Sequence, residues 1–348
     1  MSRITSKPLR PNRVTIKDVA AASGVSISTV SKVMNRPLNL LDISEAARKR
    51  VLEAAGRLGY RASWRARAFV SGRTHMVALI HPHNLPLISN DLWADAFRTL
   101  SDGLSERGYD PQFVSGGDAH IQRCRQMLLD QRFDGVVILN QLRPEVEYAL
   151  EQAGLPAVLV NAEPREGHAC VIPDDRQGGR DLTRHLLSLG HRRVVFNCVS
   201  QGVRKHFSYE ARLTGINDAL AEAGLPAALC VVNPDRQETV TQVLAAQPRP
   251  TAIIEYHSSG VLELLRACWK CGLSVPGQLS IATFNDTPIT RNTVPSMTTV
   301  GVPSVEMAGV ALEILSVGLE SGQPLAPQRV VMPETLIVRE STVPPQER

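Results

Sequence analysis

The chain has 348 residues, 43% hydrophobic and 21% charged, the composition of a globular protein too long for one ordinary domain. No apolar run approaches the roughly 18 residues of a membrane span. The basic start MSRITSKPLRPNR leads into no apolar secretion signal, so the expected location is the cytoplasm. Charge is uneven: residues 1–73 carry 15 Lys and Arg against 4 Asp and Glu, a net of +11, while the remainder nets −7. Such a block is either a nucleic-acid footprint or a disordered basic tail, and residue pattern decides between them.

In VTIKDVAAASGVSISTVSKVMN, residues 14–35, Ile16, Val19 and Ala20 recur at helical spacing behind Thr15, a capping residue. Gly24 marks a sharp turn that favours positive φ, and Val25 plugs the angle between two helices. Ser26 caps the second helix, whose inward stripe is Val30, Val33 and Met34 and whose outward face is Ile27, Ser28, Ser31 and Lys32. A third helix is expected over SEAARKRVLEAAGRLGY, with Ser44 as cap, Ala47, Val51, Ala55 and Leu58 inward, and Arg48, Lys49, Arg50 and Arg57 opposite. Three consecutive capped, periodic helices are not the pattern of a disordered tail.

Residues 14–35 resemble the headpiece signature of the LacI-type (LacI/GalR) bacterial transcription regulators, with the turn glycine and the TVS run in register. The resemblance implies that Ile27, Ser28 and Lys32 reach base edges in the major groove. It implies that Thr15, Ser26, Thr29 and Ser31 hold phosphates. RPLNLLDI, after the second helix, is a few residues longer than usual. Residues 61–73, RASWRARAFVSGR, resemble the family's hinge helix, in which Phe69 takes the place of the usual leucine wedge, Ala62 that of a proline, and Arg65 and Arg67 add phosphate or groove contacts.

From residue 76, apolar runs alternate with amphipathic stretches: MVALI, a helix near 91–107, GVVIL near 135, AVLV near 157, VVFNC near 194, AIIEY near 252 and SIATF near 280. This predicts parallel strands with crossover helices in two α/β lobes, broken around PDDRQGG at 173–179. It resembles the periplasmic-binding-protein-like core of the same family. The expected fold is therefore an all-α helix-turn-helix headpiece over 1–60, a hinge over 61–73 and a two-lobed core over 74–343. Its N-lobe is placed at about 74–172 and 301–327, and its C-lobe at about 173–300 and 328–343.

Ligands of open α/β sheets bind beyond the carboxyl ends of strands. Those exits supply His81, His83, Asn140, Asn161, His206, Tyr209, His257 and Asn285, with Asn90 and Trp93 on the following helix. Arg212 in ARLTG matches the family's effector-contacting arginine. Where the family usually has an Asn-Asp pair, this chain has His257 and Ser258. Asn285 stands for an aspartate, and Val302 for a glutamine. A pocket short of carboxylates and rich in Arg212 and histidines favours an anionic effector such as a sugar acid or phosphorylated sugar.

The six cysteines are scattered as in a reduced cytoplasmic protein, and the CWKC pair Cys268 and Cys271 lacks further ligands, so no metal and no cofactor are expected. Enzyme motifs such as GxGxxG after a strand, GxxxxGK[ST], GxSxG and HExxH are missing, so the expectation is not an enzyme. The expected partners are a near-palindromic double-stranded operator, a small-molecule effector and a second copy in a homodimer, with no membrane and with location at the nucleoid. The competing readings are a DNA-binding regulator without effector control and a solute-binding protein. The C-terminus has no leucine heptads, so a tetramerising tail is not expected.

Overall fold

The computed structural model describes residues 14–35, 43–61, 68, 72–81, 91–198, 206–233 and 235–346. They belong to two compact units, Met1–Thr74 and His75–Arg348.

In the first unit, α1 (Ile16–Ser23), α2 (Ile27–Asn35) and α3 (Glu45–Leu58) surround a core of Val19, Ala20, Val30, Val51, Ala54 and Ala55. Each helix start is tied locally. The Thr15 N–H and Oγ1–H both donate to Asp18 Oδ2, at 2.7 and 2.8 Å. Ser26 Oγ accepts from the Thr29 N–H at 3.1 Å, and Ser44 Oγ from the Ala47 N–H at 3.3 Å. Gly24 ends α1 at φ 64°, where a side chain would be strained, and this turns the chain into α2. Most of the longer linker, residues 36–42, lies outside the described residues, as do Ala62, Arg65, Arg67 and Phe69.

The second unit holds two six-stranded sheets. The first has the order β11-β5-β4-β3-β1-β2, from β1 (Met76–His81), β2 (Asp110–Ser115), β3 (Gly135–Leu139), β4 (Ala157–Val160), β5 (Ala169–Pro173) and β11 (Gln328–Met332), every neighbouring pair parallel. The second has the order β12-β10-β9-β8-β6-β7, from β6 (Val194–Cys198), β7 (Leu229–Val232), β8 (Ala252–Glu255), β9 (Ser280–Phe284), β10 (Thr298–Gly301) and the antiparallel β12 (Thr335–Ile337). Side chains alternate between sheet faces, so each sheet carries two cores. Leu79, Val137 and Val158 pack toward α4 (Asp91–Glu106) and α12 (Ser304–Ser321), whereas Ile80, Val136 and Leu159 pack toward α5 (Ile121–Leu129) and α6 (Pro144–Ala153).

The placement of residues 328–332 in the second lobe is corrected. They form β11 and pair with β5 across five residues, Gln328 with Ala169 through Met332 with Pro173. The chain therefore crosses between lobes after β5, after β10 and between β11 and β12. The expected break around 173–179 coincides with the first of these crossings, and there Asp174 caps α7 (Asp175–Ser188) by accepting from the Gln177 N–H at 3.1 Å. In the second lobe α7 and α8 (Phe207–Glu222) cover one face of the sheet. The other face is covered by α9 (Arg236–Ala245) and α10 (Val261–Lys270), and the short α11 (Pro288–Asn292) precedes β10. No helix among the described residues is long and apolar enough to cross a membrane.

Candidate functional site

The outer face of α2 is exposed as its pattern requires: Ile27 keeps 45% of its surface, and Ser28 and Lys32 are exposed. Ser26 Oγ lies 2.7 Å from Ser28 Oγ and 2.8 Å from Thr29 Oγ1, so three hydroxyls are gathered at a helix N-terminus, where unpaired N–H groups favour anions. Ser31 is half-buried. The Thr15 hydroxyl is already committed to Asp18, whose carboxylate is held below its usual range by those bonds, which puts an anion where a phosphate contact was expected.

In the core, strand exits bring several of the anticipated residues together. Asn140 and Asn161 follow β3 and β4 at φ 63° and 52°, in the left-handed region that asparagine tolerates best among side-chain-bearing residues. Asn161 Nδ2 donates to Asn140 Oδ1 at 2.9 Å, and Asn140 Nδ2 lies 3.1 Å from His81 Nε2. His206, at the start of α8, reaches the Asn161 carbonyl at 3.0 Å. His257 Nδ1 accepts from the Ser259 N–H at 3.1 Å. Burial, with the Arg212 charge and His206 beside it, pushes the His257 imidazole down to about 4, so it is neutral at pH 7. His83 and Asn90 lie outside the described residues.

Trp93 and Tyr209 go elsewhere. Trp93, 3% exposed, packs in the first-lobe core, and Tyr209, 1% exposed, lies 5.2 Å from Phe196 in the second. These large rings are buried among apolar neighbours.

Arg212, 4% exposed, is the centre of a charge cluster that the residue pattern did not anticipate. Its Nε donates to Asp175 Oδ1 at 2.6 Å and its Nη1 to the Tyr256 carbonyl at 2.8 Å. The guanidinium lies 4.2 Å over the Phe284 ring and 5.0 Å over that of Tyr256. Nη2 stands 4.0 Å from Glu334 Oε1. The expected shortage of carboxylates is therefore corrected: Asp175 and Glu334, with side chains 1% and 0% exposed, flank this arginine. Four carboxyl and amide oxygens here are buried without a hydrogen-bond partner, namely Asp175 Oδ2, both oxygens of Glu334, and Asn285 Oδ1. Asp175 escaped notice because PDD reads as a break, and Glu334 because it follows a proline in an otherwise polar join.

Burial and the Asp175 charge push the Glu334 carboxyl up to about 8, against the pull of Arg212. A raised folded-state carboxyl costs nothing below the unfolded value of 4.5. The cost of ionising it grows as pH climbs from there and is complete above about 8. Glu334→Gln is therefore expected to match the wild type in urea denaturation at pH 5 and to exceed it by roughly 1–3 kcal/mol at pH 9. An unchanged difference between the two pH values would show Glu334 ionised in the fold at both.

Among the described residues, no group of three or more His, Cys, Asp or Glu side chains is placed to hold a metal ion. Cys268 is buried, and its thiol is pushed up to about 12 chiefly by that burial.

Residues 15–63 match the family described as bacterial regulatory proteins of the lacI family, and residues 183–342 match the periplasmic binding protein-like domain. Over 345 residues the chain is 31% identical to the HTH-type transcriptional regulator GalR of Escherichia coli, covering 95% of this chain and 96% of that one. It is 30% identical over 345 residues to the regulator CelR of Thermobifida fusca, covering 95% and 99%. A solved CelR–cellobiose complex superposes with a TM-score of 0.69 at 27% identity, covering 95% of this chain and all of that one. The lac repressor dimer bound to operator shares the fold, with a TM-score of 0.78 at 20% identity over 95% of this chain and all of that one. A capped helix-turn-helix unit and a core of two parallel-rich sheets, matched along nearly the whole length, place the chain in the LacI/GalR family of DNA-binding bacterial transcriptional regulators, which are not enzymes.

Proposed function

We propose that this chain is a cytoplasmic, nucleoid-associated repressor. In this reading it binds a near-palindromic operator as a homodimer and releases or tightens on it when an uncharged, hydroxyl-rich effector occupies the space between the two core lobes. Ile27, Ser28 and Lys32 read base edges from the exposed face of α2. Ser26 and Thr29, with Ser31, hold phosphates, while Thr15 acts through Asp18 as a helix cap. Arg65 and Phe69 belong to the hinge that enters the minor groove. Lys32→Ala is expected to relax discrimination at a single base position, costing about 1–3 kcal/mol there in a binding assay over operator variants. Equal weakening on every sequence would make Lys32 a phosphate contact.

The observation that carries the effector class is the unpartnered set of oxygens around Arg212. Asp175 already balances the guanidinium, and Glu334 is largely neutral at pH 7, so an entering anion finds no unbalanced cation and faces buried acceptors. A hydroxyl both donates and accepts, so it can donate to Asp175 Oδ2 and Asn285 Oδ1 and accept from the O–H of a neutral Glu334, without added charge. This replaces the anionic effector expected from the strand exits, and the cellobiose complex of CelR is in keeping with it. Calorimetry on the full chain is expected to find binding among neutral mono- and disaccharides and none among the corresponding sugar acids and sugar phosphates. Tight binding of an acid with no neutral binder overturns the assignment.

A further inference from the structure

A line of hydrogen bonds runs from one lobe to the other through a single imidazole. In the second lobe the Tyr256 hydroxyl lies 2.6 Å from Ser208 Oγ, and Ser208 Oγ lies 2.7 Å from His206 Nδ1. His206 Nε2 is 3.0 Å from the carbonyl oxygen of Asn161, which belongs to the first lobe. From there the line continues through the Asn161–Asn140 bond to His81, at the end of β1.

Chemistry fixes its direction. A carbonyl only accepts, so His206 Nε2 carries the hydrogen. In the neutral ring Nδ1 is then the acceptor. The Ser208 hydroxyl donates to it, and the Tyr256 hydroxyl donates to Ser208. On the far side, Asn140 spends Oδ1 on Asn161, so its amide nitrogen donates to His81 Nε2, and the His81 hydrogen is left on Nδ1. Burial, opposed by the hydrogen bond to Asn161 and by Asp175 and aided by Arg212, holds the His206 ring below the ordinary imidazole range, and the carbonyl partner selects the tautomer. Tyr256 and His257 are the other titratable groups set against it.

We propose that His206 is an interlobe latch: its Nε2–H holds the exits of β3 and β4 against the second lobe, and an effector entering between the lobes competes for that bond. The inference rests on the reading of the interlobe space as the effector site. The reason for thinking so is position: among the described residues, the line passes from one lobe to the other at the His206 ring, which meets the backbone at Asn161 and also that at Asn140, and the rest of the line on either side is internal to one lobe.

The test is amide hydrogen exchange, read by mass spectrometry on the full chain without effector, for the wild type, His206→Ala and His206→Gln. The alanine variant is expected to exchange about five- to tenfold faster at residues 140–142 and 161–163, a factor in line with the loss of one buried hydrogen bond. Those segments carry no substitution and sit in the other lobe. The β3 residues 135–139 are expected to stay as protected as in the wild type, which separates a released latch from a loosened lobe. His206→Gln, whose amide restores a donor, is expected to recover most of the protection. Wild-type exchange at 140–142 and 161–163 in the alanine variant, or equal acceleration throughout the first lobe, overturns the latch. A protein that binds none of the saccharides tried by calorimetry refutes the effector reading instead, and leaves the exchange result to stand or fall alone.

Discussion

Arg212→Ala is expected to lower the unfolding free energy by about 3–5 kcal/mol in urea at pH 7, the largest loss from any single side chain in the core cluster. The cost does not come from the attraction lost. It comes from what remains: Asp175, with a side chain 1% exposed, loses the guanidinium paired with it, and the Tyr256 carbonyl loses its donor. The stack over Phe284 at 4.2 Å disappears as well. Asp175→Asn in the same background is expected to recover a good part of the loss, because it removes the stranded charge. A loss below about 1 kcal/mol for Arg212→Ala would mean that Asp175 is well solvated without its partner, contrary to its burial.

The second large effect lies at the contact between α7 and α8. A Cβ built on Gly215 would stand 1.9 Å from the Arg176 carbonyl oxygen, and one on Gly179 would stand 2.5 Å from the Arg212 carbonyl oxygen. Both obstacles are backbone, so nothing rotates away. Helix propensity alone argues that Gly215→Ala stabilises by about 1 kcal/mol, whereas forcing two helices apart costs about 3 kcal/mol or more, and packing is expected to prevail. The sign of the measured change in thermal denaturation decides between them. Separation of these helices also moves Arg212, which sits one turn before Gly215, so the variant is expected to weaken effector binding along with stability. A stabilised Gly215→Ala protein would show that the approach of the two helices relaxes freely.

These two contacts mark the limit of what the residue pattern discloses. Six interior strands were legible because strands buried on both faces are continuous apolar runs, as in GVVIL and SIATF, whereas the interior β5 and β10 went unread, β10 because threonines break its apolar run. Edge strands were not. In β2 only Val114 is buried and Pro111 interrupts the run, and in β11 no residue is fully buried. The headpiece was legible down to its caps, because a cap and the helix it starts are neighbours in sequence. The charge cluster was legible only at Arg212. Asp175 and Glu334 are 159 positions apart, and their meeting depends on two of the three crossings between lobes. Trp93 and Tyr209 show the reverse error, since an aromatic near a strand exit carries no mark that tells a lining residue from a packed one.

The pairing of β11 with β5 has a consequence for the chain as it is made. The first lobe begins at residue 76, yet the helix 304–321 that covers its sheet and the strand 328–332 that closes one edge are synthesised after β6 to β10 of the second lobe. Until they emerge, the apolar residues that face α12, such as Val137, Leu139 and Val158, lie uncovered, and β5 presents an unpaired edge. The second lobe is interrupted less, missing only its own edge strand β12 and the tail that follows. The lobe that starts first is therefore completed only after five strands of the other have been made, and a nascent chain stopped shortly before residue 304 carries a core with one sheet half bare.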